Sequence, residues 1–335
     1  MLRIAIDYRD ARTARPGGWG RYPRELARAL HGAGEVEVRA LARGWAGPEV
    51  VWEQLGLGLA AKARRADVLH APNCFLALRR WCPGVVTIHD LAFERHGDDF
   101  APRTRAKYRY FTPRAARSAE RVICDSAFTR DDLCERYGVG PERVAVIPLA
   151  PALARGEAPP PAGPYLLGVG DLRAKKNWGR LVLAWRALRA DGLPHRLVIA
   201  GADAGEGASL RALAESEPLE LPGYVDDARL DALMRGAAAL VHPSLYEGFG
   251  LVVLEAQARG CPVALARGTA LPEAGGDAAV SFDPHDPDAI ADAIRATLDR
   301  RAELAAAGRE HAAAFTWERV AAATAGVYRE AAAAA

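Results

Sequence analysis

At 335 residues, with half of them apolar and 26% charged, the chain has ordinary globular composition and is comfortable as two domains. No run approaches the roughly 20 apolar residues needed to cross a bilayer, which excludes a membrane-spanning helix, and five cysteines with no C-x-x-C pair speak against a disulfide framework or a cysteine metal site. The net charge of +2 gives no ground for a nucleic-acid partner and hides an asymmetry: residues 1–150 carry 25 basic against 18 acidic residues, leaving 19 against 24 in the rest.

The chain opens on Met1-Leu2-Arg3-Ile4-Ala5, already strand-like, with no signal-peptide core, so a reducing cytoplasmic location is expected. Leu2–Asp7 reads as a buried strand, followed by the Gly-rich turn Pro16-Gly17-Gly18-Trp19-Gly20 and a helix from about Arg21 to Leu30. Val36–Leu41, Val68–His70, Val85–His89 and Arg121–Cys124 are the next strands. Asp125 or Ser126 can cap a helix reaching Tyr137, and Val144–Ile147 closes the series. Short apolar runs alternating with helices predict a parallel α/β sheet.

Between Pro148 and Pro164 six prolines interrupt all periodicity, marking a stiff linker. The alternation then restarts with Tyr165–Val169, a helix from about Asn177, and Arg196–Ala200. A helix around Ser209–Glu215, a short strand near Tyr224, a helix from Asp226 and the strand Ala239–Val241 follow. A helix after Gly250, the strand Pro262–Ala266, a helix from Asp288 and a last one from Thr316 complete the second half. The expected division is an N-terminal domain over 1–150, the linker over 151–164, a C-terminal domain over 165–315 and a closing helix over 316–335 that reaches back to the first. Two Rossmann-like domains would face each other across a cleft, the default ligand site.

The most informative segment runs from His242 to Glu255. A strand ends, a turn flanked by Gly248 and Gly250 lets backbone approach a ligand closely, and a helix begins whose free N–H groups suit a pyrophosphate. Glu247 stands before that terminus and Glu255 two turns along; acceptor-only carboxylates suit sugar and ribose hydroxyls. Lys175 and Lys176 lie just ahead of another helix start, where cations oppose the dipole unless an anion is bound.

Tyr246-Glu247-Gly248-Phe249-Gly250 followed by Leu254-Glu255-Ala256 resembles the Glu-x7-Glu motif of the retaining GT-B glycosyltransferases of the group 1, or family 4, type. Gly18-Trp19-Gly20-Arg21-Tyr22, His89-Asp90, Asp125-Ser126, Lys175-Lys176-Asn177, Gly223-Tyr224-Val225 and Phe315-Thr316-Trp317 match further segments of that family, in order, over residues 17 to 317. The resemblance implies a GT-B fold and retaining hexosyl transfer from a nucleotide-diphosphate sugar, with no metal or other cofactor. His89, Lys176 and Glu247 would then be catalytic. Gly18, Gly20, Lys175, Val225, Gly248, Phe249, Gly250, Leu251 and Glu255 would bind the donor, Glu255 through the ribose and Val225 through the base. The stretch His89–His96 resembles mannosyl- and rhamnosyl-type members and makes GDP-mannose the expected donor. Two positions depart from the pattern: Asp171 after Gly170, and Pro148-Leu149-Ala150 in place of Asn-Gly.

A dinucleotide dehydrogenase would need a third glycine where Pro23 stands. The remaining alternatives are a sugar-nucleotide epimerase or sugar-phosphate synthase on the same fold, and a silent nucleotide-sugar-binding paralogue. Asp286-Pro287-Asp288 reads as a helix cap, not a metal motif. The acceptor is expected to be a glycan, a lipid-linked sugar or a small molecule. Seven basic residues (Arg103, Arg105, Lys107, Arg109, Arg114, Arg117, Arg121) suggest a stripe facing an anionic membrane or an anionic acceptor, interrupted by Pro113.

Overall fold

The computed structural model describes residues 1–12, 18–42 and 47–334. They form two compact units, Met1–Ala150 with Phe315–Ala335, and Pro151–Ala314. In the first unit β1 (Leu2–Asp7), β2 (Val36–Leu41), β3 (Val68–Ala71), β4 (Gly84–Ile88), β5 (Arg121–Cys124) and β6 (Val144–Val146) make one parallel sheet, ordered β2-β1-β3-β4-β5-β6. Its helices are α1 (Gly18–Ala33), α2 (Glu49–Val51), α3 (Leu57–Ala63), α4 (Ala92–Arg95), α5 (Pro102–Ser118) and α6 (Ala127–Tyr137). Residues Trp52–Gly56 join α2 to α3 in π geometry. Ser126 caps α6, its hydroxyl accepting from the Thr129 N–H at 3.0 Å, which leaves Asp125 for another task.

In the second unit β7 (Tyr165–Val169), β8 (Arg196–Ala200), β9 (Leu219–Gly223), β10 (Ala239–His242), β11 (Val263–Ala266) and β12 (Ala279–Phe282) form the parallel order β12-β11-β10-β7-β8-β9. Between and beyond the strands run α7 (Trp178–Ala190), α8 (Gly207–Ala214), α9 (Asp227–Gly236), α10 (Leu251–Gln257), α11 (Leu271–Gly275), α12 (Pro287–Asp299) and α13 (Arg301–Ala313). Asp286 caps α12 by accepting from the Asp288 N–H. After α13 the chain returns to the first unit as α14 (Trp317–Ala333), which packs on α1 and over β3, β4 and β5.

Both sheets are apolar on the two faces of their central strands: β3 and β4 are buried throughout, as are β10 and β11. Parallel strands covered by helices on both sides read as continuous apolar runs for this reason. No helix among the described residues is long and apolar enough to cross a membrane.

Several expectations are corrected. Gly18–Gly20 form the first turn of α1, not a turn ahead of it, while Pro16 and Gly17 lie outside the described residues. Tyr22, Leu26 and Leu30, one buried face at helical spacing, carry the helix back through the glycines. Helix α5 runs through Pro113, which lies buried beside Thr112, Ala115 and Ala116; that packing offsets the missing N–H donor. The short strand expected near Tyr224 is present as β9, which ends at Gly223.

The basic stripe does not form one free face. Arg121 belongs to β5 and meets Glu330 at 3.1 Å, and Lys107 meets Glu49 and Glu53 at 2.8 Å each. Arg109 pairs with Glu94 at 3.1 Å, Arg117 donates to the Tyr137 carbonyl, and Arg114 stacks 3.7 Å from the Tyr110 ring. The support for an anionic membrane contact falls accordingly.

Candidate active site

In the second sheet the chain runs outward from β7 through β8 to β9, then returns to the other side of β7 as β10. Connections leaving the carboxyl ends of β7 and β10 therefore diverge, the place where open α/β sheets hold ligands. Asn177 stands at this point in the left-handed region (φ +60°), ahead of α7. Its amide nitrogen donates to the carbonyls of Pro243 (3.0 Å) and Pro284 (2.7 Å), and the Leu245 N–H donates to the Lys175 carbonyl (2.8 Å). The loops after β7 and β10 are thereby locked together.

That lock brings Lys176 and Glu247 into contact, the ammonium 2.6 Å from Glu247 Oε1. His242, at the end of β10, donates from Nε2 to the same oxygen at 3.2 Å. Burial works to raise the Glu247 pKa, but Lys176, the His242 bond and Lys175 outweigh it and hold the carboxyl well below its usual range. The His242 pKa is lowered as well: burial and the two lysines outweigh the Glu247 carboxylate, so the ring is neutral. With the proton on Nε2, its Nδ1 is a bare acceptor, and this buried atom has no partner. Gly170 (φ +145°) lies under the Lys176 side chain, and a Cβ there would meet Lys176 Cε at 3.0 Å. Only glycine leaves the ammonium this path.

Gly248, Phe249, Gly250 and Leu251 follow Glu247 into α10, with Gly250 at φ +106° as its cap. The helix has only seven residues, so its dipole is a smaller contribution than the two lysines. Glu255 is buried at 4% exposure, and its Oε1 accepts from the Leu153 N–H at 3.0 Å. Val225 lies in the loop after β9, two strands from β7 and thus about 10 Å across the sheet. All these residues share the carboxyl edge of the second sheet. The Asp171 carboxylate is exposed and lies 3.5 Å from Arg173. Leu149 and Ala150 are buried in the segment after β6.

His89 stands beyond β4 in the first unit, together with Asp125. Its Nδ1 is 2.6 Å from Asp125 Oδ2 and its Nε2 donates to the Pro72 carbonyl at 3.0 Å. A carboxylate and a carbonyl both demand donors, so the imidazolium satisfies both at once. Burial opposes that charge, but Asp125 outweighs it and raises the His89 pKa. The Tyr22 ring stacks edge-on at 4.9 Å. Behind it, His70 bonds the Tyr328 hydroxyl (2.7 Å) and the Thr87 hydroxyl (2.8 Å), tying α14 to the sheet. Gly18 and Gly20 are in α1.

The sequence reading placed His242 and Asn177 in informative segments but gave neither a role in the site. The signal for His242 was its place at a strand end five residues before Glu247; for Asn177, its place beside the lysine pair. Among the described residues no group of three or more His, Cys, Asp or Glu is arranged to hold a metal ion.

Comparison with known proteins gives two family matches. Residues 152–314 match the model of glycosyl transferases group 1, and residues 48–150 match Glycosyltransferase Family 4. The O-antigen chain mannosyltransferase B of Escherichia coli is 30% identical over 287 residues, covering 78% of this chain and 74% of that protein. Among solved structures, sucrose-phosphate synthase from Thermosynechococcus elongatus superposes with a TM-score of 0.75 at 22% identity over the whole of both chains. The Anabaena HepE protein, solved with UDP and glucose, gives 0.71 at 19% identity, covering 97% of this chain and 99% of that one.

Proposed function

Because this chain belongs to the group 1 and family 4 glycosyltransferases and has their GT-B fold, we propose that it is a retaining, metal-independent hexosyltransferase using a nucleotide-diphosphate sugar. The observation that carries the reading is the Lys176–Glu247 pair at the strand-order reversal of the second sheet. Breaking the sugar–phosphate bond leaves about two negative charges on the departing diphosphate. Lys176 keeps donors beyond the one on Glu247, and Lys175 stands next to it, so fixed cations can stabilise that charge where it develops. Glu247, held ionised, is suited to accept hydrogen bonds from donor sugar hydroxyls, and Glu255 and Val225 would hold the ribose and base.

The UDP and glucose of the HepE protein support a nucleotide-sugar donor for this chain. The mannosyltransferase relative supports mannose as the transferred hexose. A thermal-shift panel of nucleotide diphosphates and nucleotide sugars tests this first, since a selective ligand raises the midpoint by linkage. Epimerisation of the donor with no acceptor present would overturn transfer, and an inverted product anomer would overturn retention.

Donor turnover is expected to survive excess EDTA. The cationic pair supplies the charge that a divalent ion would otherwise bring. Complete loss in EDTA, restored by Mg²⁺ or Mn²⁺, would show that the lysines are insufficient.

A further inference from the structure

Residues 151–164 form no helix or strand, yet side chains of the second unit hold their backbone in place. Asp231 on α9 is the centre of that grip and is fully buried. Its Oδ1 accepts from Arg259 Nε at 2.7 Å. Its Oδ2 accepts from Arg235 Nε at 2.7 Å and from the Gly156 N–H at 3.0 Å. Arg235 reaches on to the carbonyls of Gly156 and Ala158. A buried carboxylate matched by this many donors is a stable anchor for the segment.

Arg259 carries the anchor to the donor site. It stands one turn beyond Glu255, with its side chain only 3% exposed. Nη1 donates to the Glu255 carbonyl at 2.9 Å, and Nη2 donates to the carbonyls of Leu153 at 2.7 Å and Ala154 at 3.2 Å. The N–H of the same Leu153 donates to Glu255 Oε1 at 3.0 Å. One linker residue is therefore gripped on both sides, its carbonyl by Arg259 and its N–H by the Glu255 carboxylate.

Glu255 is the fifth of the seven residues of α10. The helix fixes where its side chain starts, but rotatable bonds separate that point from the carboxylate. The Leu153 N–H fixes where one carboxylate oxygen ends. Hydrogen bonds to ribose hydroxyls are directional, so a carboxylate held at one angle binds them better than one that must first be ordered.

We propose that Arg259, oriented by Asp231, is a positioning residue for the donor ribose: it fixes Leu153, whose N–H aims the Glu255 carboxylate at the ribose hydroxyls. The proposal rests on the glycosyltransferase reading above and deepens it by naming what gives Glu255 its aim. A purely structural clamp would weaken every nucleotide alike when broken. A positioning residue acts on the contrast between a nucleotide that has the hydroxyl and one that lacks it.

The test measures binding of GDP, UDP and their 2′-deoxy forms to the full chain by calorimetry, with a melting curve for each variant. The unaltered protein is expected to bind the ribose form of its preferred nucleotide at least tenfold more tightly than the 2′-deoxy form, since a site built for a hydroxyl rejects the analogue without it. Arg259→Met keeps the stem and removes the guanidinium; it is expected to narrow that ratio to threefold or less, mainly by weakening the ribose form. Arg259→Lys keeps a cation beside Asp231 but has no fork to reach Leu153 as well. It should narrow the ratio in the same direction, and it carries the comparison if the Met variant does not fold. With Glu255→Ala already in place, neither Arg259 variant should move the ratio further. An unchanged ratio in a folded Arg259 variant, or a further change in the Glu255→Ala background, would overturn the positioning role. If Glu255→Ala narrows the ratio and the Arg259 variants do not, the donor-site reading stands and this inference falls. A ratio untouched by Glu255→Ala, or no nucleotide bound at all, removes the ribose role of Glu255 and this inference with it.

Discussion

Replacing Lys176 by alanine is expected to lower kcat by roughly two to three orders of magnitude, the size seen when one preorganised stabiliser of transition-state charge is removed. The effect should fall on kcat more than on KM, because the charge on the departing diphosphate is greatest after the bond has begun to break. The variant also strips Glu247 of its nearest cation, leaving His242 as the partner of a buried carboxylate. Glu247→Ala should be comparably damaging, whereas Glu255→Ala, farther along α10, should act mainly on donor affinity. Steady-state kinetics with a melting curve for each variant checks this. A folded Lys176→Ala protein with near-normal kcat would remove Lys176 from the chemistry.

His70 should make the first unit sensitive to acid. Burial, helped by the charge of His89, pushes its pKa down to about 3. In the unfolded chain a histidine titrates near 6.5. Between those values the unfolded state binds a proton that the native state refuses, so this residue's contribution to stability falls as pH falls through that window. The slope is about 1.4 kcal/mol per pH unit. His70→Gln can still hydrogen-bond but does not titrate. Denaturant unfolding of both proteins at pH 6.5 and pH 4.5 should show the gap moving in favour of the variant by about 2 kcal/mol. Comparing the pair cancels Asp7, whose pKa is raised by burial to about 6 and whose contribution runs in the opposite direction. A gap that stays constant with pH would show that His70 accepts its proton in the folded protein.

Strands inside the sheets were legible because burial on both faces writes them as largely apolar runs: β5, β7 and β8 stand where Arg121–Cys124, Tyr165–Val169 and Arg196–Ala200 were read, and β2, at the edge of the first sheet, stands at Val36–Leu41 as read. The edges of the second sheet were less so. β9 is Leu-Glu-Leu-Pro-Gly, half polar and ending on a proline, and β12 is Ala-Val-Ser-Phe, so neither carries a strong periodic signal. The helical run from Glu49 to Ala63 was hidden by Gly56 and Gly58, and α13 by its weakly amphipathic alanines. At the site, Glu247 and the lysines announced themselves by type and spacing. Their pairing across 71 residues did not, because it depends on β7 and β10 becoming neighbours. The basic stripe misled for the converse reason: Glu49, Glu53, Glu94 and Glu330 are remote in sequence and reach those cations only in the fold.

The return of α14 to the first unit sets an order of assembly. Residues 151–314 are contiguous, so that unit can finish folding as it leaves the ribosome. The earlier unit must wait: until Tyr328 arrives, His70 lacks its hydroxyl partner and the face of α1, β3 and β4 that α14 covers stands open. The half made first is therefore completed last, and for the time needed to synthesise some 160 residues its apolar surface is exposed to chaperones or to other nascent chains.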